Sequence, residues 1–113
     1  MIEKIIINHL QAVQELPVYA ETPVKPTEEY ILIEKTGGVE ENHIRQATVA
    51  VQSISRVSML RAAELAEKHR EEMLGLAAND RVFRCAVNAG PYNFTDTETK
   101  EYKYQTVYDI FYK

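Results

Sequence analysis

Side chains able to move protons, attack carbonyls or hold metals are few in this sequence and widely scattered. Its single cysteine, Cys85, alternates with Arg84 and Ala86 and shares a strand side with Phe83 and Val87. That position predicts a small buried hydrophobe, because free cysteine is among the most buried residue types and a thiol in apolar surroundings is inert. A Cys85 thiol activated by a histidine is the enzyme chemistry these residues would allow. His9, His43 and His69 fall on three different predicted elements, and no second cysteine stands near Cys85, so the spacing argues against a metal centre. His69 lies on the apolar stripe of its helix, where a hydrogen-bonded core histidine is expected. The acid pairs Glu28 with Glu29, Glu40 with Glu41 and Glu71 with Glu72 are sequence neighbours, whose side chains diverge on either a strand or a helix. They read as solubilising charge. Gly37 and Gly38 are followed by Val39, Glu40 and Glu41, acids where a phosphate-binding loop needs a lysine and a hydroxyl. The expectation is a chain with no catalytic residues, no cofactor and no metal.

The elements around these residues are those of an ordinary globular chain. At 113 residues, 45% hydrophobic and 27% charged, the sequence suits one domain spanning 1–113. The net charge of −4 is interspersed, which argues against direct nucleic-acid recognition. A lone cysteine fits a reducing compartment better than a secreted disulfide framework. The apolar run Ile5, Ile6 and Ile7 is broken by Asn8, His9 and Gln11, so it reads as neither signal peptide nor membrane span.

Helical spacing at Ile2, Ile6, Leu10, Val13 and Leu16 predicts a first helix ending at Pro17. Val18, Tyr19 and Ala20 suit a short strand. Pro23 and Pro26 make Glu21 to Glu29 a surface arm. Tyr30 to Lys35 is a strand stopped by Gly37 and Gly38, and Ile44 to Ser55 alternates an apolar face with a mixed one. Ser58 caps a helix from Met59 to about Ala78, with Ala62, Leu65, Ala66, His69, Met73 and Leu76 inward. Arg81 to Ala89 is a third strand ended by Gly90 and Pro91, and Pro91 to Lys100 is a polar loop. Tyr102, Tyr104, Thr106, Tyr108, Ile110 and Tyr112 then define one face of the clearest strand. That tyrosine row reads as core packing with hydroxyls at the rim, its other use being a binding platform. The order predicts an α+β domain: an open antiparallel sheet of about four strands with two helices packed on one face, running helix, strand, strand, helix, strand, strand. The proline arm and the polar loop read as contact devices. The last strand reads as an edge open to another subunit.

The proline-flanked arm, the run Tyr30-Ile31-Leu32-Ile33-Glu34-Lys35-Thr36-Gly37-Gly38, the β-segment leading to Ser58 and the alanine-rich helix come in a telling order. With Asp96, Thr97, Thr99, Lys100 and the run Tyr102-Lys103-Tyr104-Gln105-Thr106-Val107-Tyr108, most of the chain resembles the small tail terminator or tail completion proteins of long-tailed bacteriophages and prophages. The resemblance implies a non-enzymatic morphogenesis protein that forms a ring, commonly a hexamer, on the last ring of tail tube protein, halts tube growth and offers the surface to which the head connector protein binds. It implies a place in the virion tail or neck after assembly in the host bacterial cytoplasm, with no membrane partner. It carries contacts over as segments, for which we take Val24, Lys25 and Pro26 in the arm, Gly37, Gly38, Glu40 and Glu41, and Tyr92, Phe94, Asp96, Thr99 and Lys100 in the loop. A head-tail connector or minor tail protein of the same particle is the neighbouring assignment, and a small ligand-binding domain or enzyme using Cys85 is the one from another class.

Overall fold

The first helix, α1 (Ile2–Val13), buries Ile2, Ile6 and Leu10, one residue per turn along a single stripe. Ile6 and Leu10 are fully buried, each contributing ~2 kcal/mol through apolar area removed from water. The helix stops a turn earlier than its spacing predicts. Gln14 is extended, and its side chain both donates to the Leu16 carbonyl and accepts from the Leu16 amide, each at 2.8 Å, which pulls the chain out of the helix before Pro17. These elements come from a computed structural model, which describes residues 1–95, 98 and 101–113.

The chain then lays down β1 (Val18–Tyr19), β2 (Glu29–Glu41) and β3 (Ile44–Ser55), crosses in α2 (Met59–Leu74) and a 3-10 turn (Gly75–Ala78), and returns as β4 (Val82–Asn93) and β5 (Tyr102–Tyr112). The fold is α+β with one five-stranded sheet in the order β1-β2-β3-β5-β4. This corrects the expected four antiparallel strands: β1 adds a fifth and runs parallel to β2, Val18 beside Ile31 and Tyr19 beside Leu32. The other neighbours are antiparallel.

Two stop signals also need correcting. Gly37 and Gly38 lie inside β2, next to a register shift between Lys35 and Gly37, and the hairpin turns later at Asn42 and His43 with φ of 52° and 65°. A two-residue hairpin loop demands positive φ at both positions, and asparagine tolerates it well. A side chain at Gly38 would sit 2.7 Å from the Gln46 carbonyl oxygen, so close strand approach explains that glycine. Gly90 and Pro91 likewise fall within β4, which continues to Asn93 past register shifts, so the following loop begins at Phe94. Finally, β5 is interior, paired on one side with β3 and on the other with β4; the edges belong to β4 and to the β1 and β2 flank.

Both helices cover the same sheet face. Ile31, Ile33, Val49, Val51, Tyr108 and Ile110 point into them, with Met73 and Leu76 above. Cys85 joins this core, whereas Phe83 is exposed because a register shift between Val82 and Arg84 takes it out of alternation. Helix α2 is anchored at its start by Ser58, whose hydroxyl accepts from the Arg61 amide at 3.0 Å. It meets α1 where His9 Nε2 donates to the Glu72 carbonyl at 2.7 Å beside Gly75.

Candidate functional site

Cys85 is a core residue, and burial pushes its thiol up to about 12, so little thiolate exists at neutral pH. We expect a thiol reagent such as Ellman's reagent to label Cys85 in the folded chain at least 100-fold more slowly than in the urea-unfolded chain. Labelling at comparable rates would revive a reactive thiol.

His69 meets a different partner. Its Nδ1 lies 2.6 Å from Ser53 Oγ, and both residues are 1% exposed. Burial, then the positive charges of Lys68 and Arg61, push His69 down to about 4, so the ring is neutral at pH 7. A hydroxyl against a neutral imidazole has the form of a nucleophile and base. Here the hydroxyl points into the packed interior between β3 and α2, where what it supplies is a satisfied polar bond. Close by, the Glu29 carboxylate accepts from Arg61 Nε at 2.9 Å, from its Nη2 at 3.1 Å and from Ser55 Oγ at 2.8 Å. The Arg61 bond is the main reason Glu29 sits below the usual carboxylate range, and the knot fastens the start of β2 to the first turn of α2.

His9 and His43 stand elsewhere, the first on α1 and the second in the hairpin turn. Among the described residues no three histidines, cysteines or acids are grouped for a metal ion.

The opposite face of the sheet carries no helix, and the sequence showed it only as a polar alternation. It is crossed by two seams. Gln52 Nε2 donates to Gln105 Oε1 at 3.0 Å, and Gln105 in turn donates to the Tyr92 hydroxyl. Nearer the hairpin, Gln46 (3.2 Å), Thr48 (3.1 Å) and Asn88 (2.9 Å) all donate to the Asp109 carboxylate. Such bonds tie β3, β5 and β4 side to side and hold that face in one shape.

The residues singled out in the sequence divide between two ends of this sheet. Val24, Lys25 and Pro26 lie in the irregular segment between β1 and β2, with Val24 97% exposed. Tyr92 and Phe94, at the end of β4, stack edge to face at 6.4 Å on the opposite flank of the sheet. Gly37, Gly38, Glu40 and Glu41 are in the outer half of β2, at the other end. Asp96, Thr99 and Lys100 lie outside the described residues. The structure therefore places no single pocket around them and instead spreads them over a surface. The most continuous piece is the hairpin of β2 and β3, where exposed Val39 and Ile44 adjoin Phe111 on the helix-free face.

By its fold the chain is a one-sheet α+β domain with helices on one side and a long, bare hairpin. Compared with models of protein families and with curated proteins, it matches none.

Proposed function

We propose that this chain is a non-enzymatic assembly subunit of a long-tailed phage or prophage, one that forms a ring, a hexamer in keeping with the resemblance, on the end of the tail tube. There it ends tube growth and presents the surface to which the head connector attaches. One observation carries the assembly half of the reading: all eight residues from Glu34 to Glu41 are exposed although they belong to a strand. Isolated domains keep exposed edge strands short or cover them, because an open row of backbone donors and acceptors recruits another chain. The likeness of the Tyr30–Gly38 run and of the Tyr102–Tyr108 run to tail terminator proteins supports the particular assembly.

The measurement is tail length. Particles lacking this chain should carry overlong, headless tubes in negative-stain micrographs, and supplying the chain in trans should restore uniform tails. Tubes of unchanged length would overturn the reading, and heads separated from tails of normal length would assign the chain to the head-tail connection instead.

A further inference from the structure

The register of the sheet says how two copies fit. Strand β1 pairs with β2 only at Ile31 and Leu32, which leaves the outer side of β2 from Lys35 to Glu41 without a backbone partner among the described residues. The opposite flank of the sheet is β4. Following the pairing across β3 and β5, Glu34 shares a row with Ala89, and Glu40 shares one with Val82. The two open edges therefore lie level with each other along the strand direction. Their directions also agree: β2, β3, β5 and β4 alternate, so β4 is antiparallel to β2. A neighbour brought up beside the molecule without reversing its strands or staggering them places its β2 antiparallel against this β4.

Charge follows the same rows. The free half of β2 starts with Lys35 and ends in Glu40 and Glu41, all exposed, while β4 holds Arg84 and no acid, with exposed Arg81 immediately before it. Arg84 shares a row with Val39, and Arg81 lies past Val82, beyond the row of Glu40. Across the contact, the two arginines of one copy thus fall beside Glu41 of the next, while Glu40 points to the other face of its strand, toward Arg45 of its own chain at 3.9 Å. The contact joins two different edges, which makes it head-to-tail rather than two-fold.

We propose that copies of this chain join by continuing the sheet, β4 of one copy against the outer half of β2 of the next, with Arg81 and Arg84 paired to Glu41. This deepens the ring reading above by naming its repeated contact. The register shifts that flank Arg84–Val87 in β4 limit the regular ladder to this short run, so the charges contribute much of the specificity.

Charge reversal tests it on exposed side chains that leave the core untouched. Light scattering after size-exclusion chromatography should find the wild-type oligomer, and E41K and R81E/R84E should each weaken association on the order of 10-fold. The combined variant E41K/R81E/R84E should restore it. Oligomers indifferent to both variants, or a combined variant that stays dissociated, would overturn the contact while leaving tail capping to its own measurement. A wild-type chain still monomeric at about 1 mM would overturn it as well.

Discussion

Lowering the pH from 7 towards 4 should destabilise the fold by about 3 kcal/mol through His69 alone. Its pKa falls from 6.5 to about 4 because the folded chain buries the ring, with Lys68 and Arg61 adding repulsion that Glu29 partly offsets. Each unit of such a shift is worth about 1.4 kcal/mol. The sign follows from which state takes the proton. Below pH 6.5 the unfolded chain gains a proton that the folded chain refuses until about 4, so the contribution is fully present above 6.5 and is lost as pH falls through that window. Glu29 has its own loss, but a lowered carboxylate acts only below its ordinary 4.5. Glu72, which burial raises above 4.5, acts in the opposite sense, so the loss between 6.5 and 5 belongs to the histidine. Urea unfolding at steps across that interval should show a falling midpoint in the wild-type chain and a nearly flat one in His69→Gln, whose amide can still meet Ser53. A flat wild-type profile would contradict the buried neutral ring.

The second large effect belongs to Gly90, and Gly90→Ala should destabilise by about 3 kcal/mol. Its φ is +98°, and a Cβ there would lie 2.5 Å from the Gln105 carbonyl oxygen and 3.1 Å from Thr106 Cα. Both obstacles are backbone of β5, held on each side by other strands, so neither can give way. Gly37→Ala is the internal control: its added methyl would meet nothing within 4 Å, and reduced freedom of the unfolded chain should make it neutral or stabilising by up to ~0.5 kcal/mol. Thermal unfolding should separate the two variants by on the order of 10 °C. Equal midpoints would mean that β4 does not approach β5 so closely.

The contrast between these glycines also explains what was legible in the sequence. Helix α2, the alternation of β3 and the alternation of β5 were written in local periodicity, and the structure has them within a few residues. The ends of β2 and β4 were not. Gly37–Gly38 and Gly90–Pro91 carry the composition of turns, yet they serve close strand approach beside register shifts, while the actual turn uses Asn42 and His43 without a glycine. The two-residue β1 has too little length to show a pattern, and its parallel pairing is a tertiary event. The edge status assigned to β5 failed for a similar reason, because strand order is not encoded in the strand itself. Among the site features, the Ser53–His69 bond and the seams through Asp109 and Gln105 join residues 13 to 63 positions apart. Period-two alternation announces which face they occupy and is silent on which partner they meet.

The interior position of β5 has a consequence for how the chain is made. On the ribosome, β2 and β3 can close early, since their ladder is local and starts from a two-residue turn. Nothing further can be added to that ribbon in order of synthesis, because β4 emerges before β5 and, among the described residues, pairs with no other strand. Until Tyr102–Tyr112 arrive, β3 keeps one side open and α2 lacks part of the surface it packs on. Closure is thus a single late event in which one strand slides between two others, and the nascent chain must stay soluble with apolar strand surface uncovered.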